Sequence, residues 1–143
     1  MTKLSLSPLT ALSPLDGRYE AKVAPLRALF SEWALMRFRV QVEVEWLKAL
    51  ATEPAIAEVP AFSAATVSEL NALVANFCEA DGQRVKAIEA TTNHDVKAVE
   101  YWIKHQFESK SLDAATRSEL ARVSEFVHFA CTSEDIKIGR AHV

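Results

Sequence analysis

Three short stretches of the chain combine side chains that could bind an anion. They are "DGRY" at residues 16–19, "TTNHDVK" at 91–97 and "CTSED" at 131–135. In the first, Arg18 offers a planar fork of N–H donors that suits a phosphate or a carboxylate, and Tyr19 adds a hydroxyl group. A surface turn with a solvated arginine is the plainer interpretation of this pair, because most arginines are exposed.

The second stretch precedes an amphipathic segment, where a helix is expected to begin. A helix N-terminus presents free N–H groups and a partial positive charge to whatever lies in front of it. Thr92 or Asn93 is a candidate cap, Asn93 and His94 would add side-chain donors, and Asp95 could orient the His94 ring. An ordinary capping sequence with an exposed histidine is the alternative interpretation.

The third stretch has the same two interpretations. Thr132 or Ser133 could cap a following helix, with acidic residues in its first turn, and this is again both a capping signature and an anion-binding geometry.

His128, just upstream, is flanked by apolar residues and is typical of a buried histidine with a satisfied ring. His105 lies on a charged helix face and is interpreted as solvated.

The elements that would hold these stretches are predicted to be helices throughout, which makes the fold class all-α. On the segment from 94 to 109, Glu100 and Lys104 are predicted to pair on the exposed side. The apolar stripe of that helix is predicted to comprise Val96, Val99, Ile103 and Phe107. Apolar spacing and capping residues place the helices at about 20–30, 31–52, 63–77, 79–90 and 94–109, then one ending near 127 and one after "TSED".

One segment carries conflicting signals. Residues 38–46, "FRVQVEVEW", alternate apolar and polar side chains, which favours a strand. A helical stripe at three- and four-residue steps also fits, through Leu35, Phe38, Val42, Trp46 and Leu50. Because the apolar pattern extends both ways without a turn residue, it is too long for an ordinary strand and a helix is predicted.

Composition excludes several classes of function. The chain has 143 residues, a net charge of −3 and no basic stripe, so nucleic acid is not an expected partner. No apolar stretch approaches the roughly 18 residues of a membrane span, and the Pro-broken N-terminus does not resemble a signal peptide. Two cysteines without CxxC spacing favour a reduced cytoplasmic setting. Three glycines form no phosphate-binding loop, and no His/Cys cluster has metal-ligand spacing.

Four longer motifs carry a family resemblance. "SPLDGRY", "FRVQVEVEWL", "TTNHDVKAVEYW" and "SEFVHFACTSEDI" together resemble the adenylosuccinate lyases of many Gram-negative bacteria, in the fumarase/aspartase superfamily. The resemblance covers nearly all of residues 10–136. The segment 105–122 fits less well and looks longer than in relatives, and it lies in a link where insertions are tolerated.

This resemblance implies an all-helical homotetramer whose active sites are each assembled from several subunits. The implied reaction is β-elimination across a C–N bond, which converts adenylosuccinate to AMP and SAICAR to AICAR and releases fumarate, without a metal or organic cofactor. The acid histidine and the base serine are expected beyond residue 143, so no catalytic residue is expected in this chain. The implied substrate-binding residues are Arg18 and Tyr19 at the nucleotide end, Asn93, His94 and Asp95 in a substrate loop, and Thr132 and Ser133 at the succinyl part.

The resemblance also implies how the chain is divided. Residues 1–121 are expected to form an N-terminal helical domain and residues 122–137 the start of a truncated central helical bundle. Residues 138–143, "IGRAHV", translate a common sequencing-adapter read, so they are expected to be non-native, with Lys137 at the junction. A genuine divergent tail is the alternative. The chain alone is expected to be marginally stable and to lack lyase activity.

Two other functions remain open at this point. Argininosuccinate lyase would share the fold and the release of fumarate, and substrate competition distinguishes it. A small helical interaction module without catalysis would instead unfold cooperatively by itself and bind a protein partner.

Overall fold

The computed structural model describes residue 5 and residues 7–139, and every regular element in this part of the chain is helical. This confirms the all-α prediction. None of the described helices is both long and apolar enough to cross a membrane. The helices are α1 (Glu20–Val23), α2 (Arg27–Phe30), α3 (Glu32–Leu50), α4 (Ala64–Ala75), α5 (Glu79–Thr92), α6 (Asp95–Phe107), α7 (Ala114–Val123) and α8 (Ser133–Gly139), with 3-10 turns at Ala24–Leu26 and Ser124–Phe126.

The chain divides into two compact units, residues 1–34 and 35–143. In the first unit, the single helix predicted over 20–30 is split into α1, a 3-10 turn and α2. Pro25 lies in that turn, and because it has no N–H it cannot extend the hydrogen bonds of α1. Gly17 is buried ahead of α1, and a Cβ there would lie 2.5 Å from the Pro8 carbonyl oxygen, so the turn accepts only glycine.

The conflicting segment at 38–46 is helical, as predicted, and lies inside α3. Ser31 caps this helix, since its Oγ accepts the Ala34 N–H at 3.2 Å. The buried stripe, however, is a different one from the predicted stripe, of which only Leu50 is buried and the other four residues are half-buried. Because valines recur at every second residue, they occupy two faces of the helix, and long-range packing selects one of them. The apolar residues of the buried face are Met36, Val40, Val44, Leu47 and Leu50.

The central helix of the second unit is α6, which packs along α5. All four residues of its predicted apolar stripe are buried, which confirms that prediction. Trp102 also lies in the core and meets Phe77 edge-on, with ring centroids 5.1 Å apart. Glu100 and Lys104 do pair at 3.2 Å, but the Glu100 side chain is only 5% exposed, so the predicted exposed position is wrong. Neighbouring elements cover that face of α6.

Side-chain caps join the remaining elements. Ser63 caps α4 as predicted, with its Oγ accepting the Thr66 N–H at 3.2 Å. Glu119 of α7 accepts the Ser63 N–H at 3.0 Å and so ties α7 to the start of α4. Cys78 and Cys131 are free thiols in the structure. Helix α8 continues through Gly139, and residues 140–143 of the suspected tail lie outside the described part of the chain.

Candidate functional site around His94 and Ser133

The junction between α5 and α6 contains the second candidate stretch. Helix α5 continues through Thr92 and ends where Asn93 adopts a left-handed conformation with φ of 51°. Asparagine tolerates this conformation better than most residues, so it is a common helix terminator. The cap of α6 is therefore His94, and the prediction that Thr92 or Asn93 caps this helix is wrong, because both residues are used to finish α5.

The His94 ring caps α6 directly. Its Nδ1 accepts the Lys97 N–H at 3.1 Å, so the proton of the neutral ring is on Nε2. Nε2 lies 3.4 Å from Ser133 Oγ, a residue 39 positions further along the chain. The structure thus brings the second and third candidate stretches together, with the His94 side chain about half exposed to solvent.

Asp95 does not orient the His94 ring, contrary to the prediction. Its Oδ1 lies 4.0 Å from His94 Nδ1 and accepts the Val96 N–H at 2.9 Å instead. Its Oδ2 accepts a hydrogen bond of 2.6 Å from the buried Arg39 of α3. Partial burial acts to raise the pKa of Asp95, but the charge of Arg39, the Val96 N–H and the Arg39 hydrogen bond outweigh it, so the pKa lies below its usual range.

The third candidate stretch forms a capping box at the start of α8. The Thr132 N–H and Oγ1 both donate to Asp135 Oδ2, at 2.7 and 2.8 Å. In return, the Asp135 N–H donates to Thr132 Oγ1 at 3.4 Å. These bonds from Thr132 hold the pKa of Asp135 below its usual value. Thr132 is therefore the cap, as one of the two predicted candidates, and Ser133 in the first turn directs its hydroxyl at His94.

A strained turn leads into this cap. His128 and Ala130 are non-glycine residues with positive φ, 65° and 57°. Two contacts from α3 hold the turn: Glu43 Oε1 lies 2.7 Å from His128 Nδ1, and Trp46 Nε1 donates to the Phe129 carbonyl at 2.9 Å. The predicted buried histidine at 128 is confirmed only in part, because Nδ1 has a partner but the side chain is 19% exposed.

The Glu43 side chain is completely buried. Burial raises the pKa of Glu43, the hydrogen bond and charge of His128 oppose that rise, and the nearby charge of Glu100 adds to it. Glu43 also acts on the neighbouring Cys131, whose thiol pKa is raised first by burial and then by Glu43 and Asp135. The sequence analysis did not single out Glu43 or Arg39. The sequence did contain a signal for a buried polar pair, because two charged residues lie four positions apart within an apolar helical pattern.

Arg18 and Tyr19 belong to the first unit, where both side chains are exposed. The Arg18 guanidinium carbon lies 5.5 Å from the centroid of the Tyr19 ring, and Lys22 Nζ lies 5.7 Å from the same centroid. This arrangement agrees with the surface-turn interpretation. A contact between these two residues and a nucleotide stays a prediction.

The geometry of the second unit supports anion binding. His94 Nε2 and Ser133 Oγ present two adjacent donors beside the N-terminus of α6, where the helix dipole favours negative charge. The nearby Asp95 and Asp135 carboxylates are each engaged by protein donors, namely Arg39 and Thr132. Within residues 7–139, no group of three or more His, Cys, Asp or Glu side chains could hold a metal ion.

Comparison with known proteins assigns the family. A family model described as "Lyase" matches residues 17–141. Over 133 residues the chain is 59% identical to the adenylosuccinate lyase of Haemophilus influenzae, 58% to that of Escherichia coli K12 and 55% to that of a Vibrio cholerae strain. Each match covers 93% of this chain and 28% of the relative, so the chain spans little more than a quarter of the relatives' length. With most of its residues matched by the family model, the chain belongs to this lyase family.

Proposed function

We propose that the chain is the N-terminal part of a lyase that cleaves adenylosuccinate to AMP and fumarate, and SAICAR to AICAR and fumarate, in purine biosynthesis. The observation that carries this proposal is the 58–59% identity to two adenylosuccinate lyases over 133 residues. The proximity of His94 to Ser133 supports it, because it joins two of the predicted substrate-binding motifs at one surface.

The chemistry of the substrate explains these residue types. Adenylosuccinate carries a phosphate and two carboxylates, so its site needs many donors and few free anions. Asn93 and His94 would donate from the end of one helix and the start of the next, and Ser133 with Thr132 would bind the succinyl part. Asp95 fits an indirect role, since its charge is neutralised by Arg39 and its carboxylate caps the first turn of α6.

The proton-transfer steps belong to other residues in this proposal. β-Elimination needs a base that removes the Cβ proton and an acid that protonates the leaving nitrogen. The proposal assigns both to sequence that the relatives have and these 143 residues do not cover. Arg18 and Tyr19 would contact the nucleotide end of the substrate. The proposed enzyme is a cytoplasmic homotetramer that uses no metal or organic cofactor.

A chimeric enzyme tests the proposal. The 133-residue segment of the E. coli adenylosuccinate lyase that matches this chain is replaced by the chain's own residues. We expect the chimera to assemble like the unmodified E. coli enzyme and to cleave adenylosuccinate, followed by ultraviolet absorbance, with argininosuccinate neither cleaved nor inhibitory. An assembled chimera that cleaves argininosuccinate, or neither substrate, contradicts the proposal.

A further inference from the structure

Helix α3 carries buried polar groups that a core-filling helix does not need. Arg39 and Glu43 lie one turn apart, with side chains only 7% and 0% exposed, and Trp46 follows three residues later. Residues spaced by four and three lie on one face of a helix. Burying charged groups costs free energy unless they are paired, so this face should have a role beyond packing.

The first contact from this face holds the start of α6. Arg39 reaches a residue 56 positions away, where its Nη2 donates to Asp95 Oδ2 at 2.6 Å. The other Asp95 oxygen accepts the Val96 N–H of the same helix. The orientation of the first turn of α6, and with it the backbone of His94, is thereby tied to α3.

The other two contacts hold the strained turn. Glu43 meets His128, 85 positions away, and Trp46 donates to the Phe129 carbonyl. Left-handed conformations at two non-glycine residues are strained and persist only where the surroundings impose them. The two contacts from α3 supply that constraint, one at the His128 ring and the other at the Phe129 carbonyl. The turn then leads directly into Thr132 and Ser133.

We propose that Arg39, Glu43 and Trp46 are positioning residues, which anchor the α5–α6 junction and the 128–131 turn to one rigid helix and so keep His94 Nε2 within reach of Ser133 Oγ. Each of the three acts through its partner and does not touch a ligand. That the aligned pair binds the anionic part of the substrate rests on the proposed function. The alignment itself does not, and it is measurable without ligand.

The test uses the isotopically labelled 143-residue chain, with nuclear Overhauser contacts between the His94 ring and Ser133 Hβ as the main readout. Glu43→Met keeps the side-chain volume and removes the hydrogen bond, and replacing buried charges with apolar groups of like size often preserves the fold. We expect it to lose the His94–Ser133 contact and to speed amide exchange at residues 128–133 by about tenfold or more, while α6 amides are unchanged.

Two matched variants separate positioning from general packing. Glu43→Gln retains a hydrogen-bonding group and should restore the contact between His94 and Ser133. Glu45→Met alters an exposed carboxylate on the same helix, which pairs with Lys48. This variant should leave the contact between His94 and Ser133 intact. Persistence of the contact in a folded Glu43→Met chain overturns the proposal, as does its equal loss in Glu45→Met.

A second variant decides the question if Glu43→Met does not fold. Trp46→Phe keeps an aromatic ring in place and removes only the N–H donor to the Phe129 carbonyl. The proposal predicts faster amide exchange at residues 128–133 and a weaker His94–Ser133 contact in this variant. Unchanged exchange and an unchanged contact would overturn it. Because no ligand is present, this result is independent of whether the chimeric enzyme cleaves adenylosuccinate.

Discussion

At the scale of single residues, the site depends on which hydrogen bonds each side chain already makes within the protein. His94 uses one ring nitrogen to cap α6, which leaves Nε2 available beside the Ser133 hydroxyl. Asp95 and Asp135 have similar surroundings in sequence but are both held by protein donors, so neither presents a free charge to a ligand. Unlike these two aspartates, His94 and Ser133 have donors available to a ligand.

Ser133→Ala and His94→Gln, made in the chimeric lyase, should each weaken substrate binding. Hydrogen bonds to charged groups are worth about 1.5–3 kcal/mol, which corresponds to a rise in KM of about 10- to 150-fold. Steady-state kinetics on adenylosuccinate measures the change. His105→Gln, an exposed histidine on α6, is the control and should leave KM unchanged. A normal KM in both site variants would remove these residues from the site.

Glu43→Gln should change how stability depends on pH. Because burial raises the pKa of Glu43, protonation of this carboxyl group is more favourable in the folded chain than in the unfolded chain. Its contribution to the free energy of unfolding is therefore fully present below the unfolded-state pKa of about 4.3 and is lost as the pH rises through the higher folded value. Glutamine does not titrate, so the stability of the wild type relative to the variant should fall across this window.

Urea unfolding of the two chains at several pH values, from below about 4 to neutrality, measures this difference. Glu45→Gln is the control for a carboxylate on the same helix that is exposed. The pH-dependent loss of stability relative to wild type should be specific to the comparison with Glu43→Gln. A constant difference between wild type and Glu43→Gln at all pH values would show that Glu43 titrates as an ordinary carboxyl group.

At the scale of elements, helix boundaries follow local chemistry wherever a capping side chain is present. Ser31, Ser63 and Thr132 cap the helices that follow them, as the sequence predicted. The exceptions are the proline-split helix near residue 25 and the α5–α6 junction. Pro25 splits the first because it has no N–H, whereas at the junction Thr92 and Asn93 end α5 and leave His94 as the cap of α6.

Ser63→Ala tests the contribution of a cap at this scale. Removing the side-chain oxygen leaves the Thr66 N–H without its acceptor, and loss of such a cap costs about 0.5–2 kcal/mol. Chemical denaturation followed by circular dichroism measures the loss. Ser68→Ala, at an exposed position of the same helix, should cause no loss, because alanine is the better helix former. Equal effects of the two substitutions would refute the capping role.

At the scale of the whole molecule, the core of the second unit is built around α6. Ile103 and Val99 are buried on the apolar stripe of this helix. Trp102, also on α6, packs against Phe77, which lies between α4 and α5. The polar face of α3 and the apolar stripe of α6 thus have different roles. The first aligns the candidate site, whereas the second supplies hydrophobic stabilisation.

Ile103→Ala should be strongly destabilising. The side chain is 1% exposed, and truncating a buried isoleucine to alanine costs about 2–5 kcal/mol through lost burial and the cavity that remains. The midpoint of urea unfolding measures this effect. Leu12→Ala, at a fully exposed leucine of the first unit, should leave the midpoint within error. A small effect of Ile103→Ala would mean that the core can close around the cavity.

The sequence by itself determined the helical class, the positions of most helices, the stripe of α6 and the caps at Ser31 and Ser63, because these depend on the spacing of neighbouring residues. It also contained the motifs that led to the family. Only the tertiary structure decided which face of α3 is buried, that His94 caps α6, and that Asp95 pairs with Arg39 at 2.6 Å and not with His94. Those outcomes depend on contacts between residues far apart in the chain, and local periodicity carries no information about which distant side chain occupies a given position.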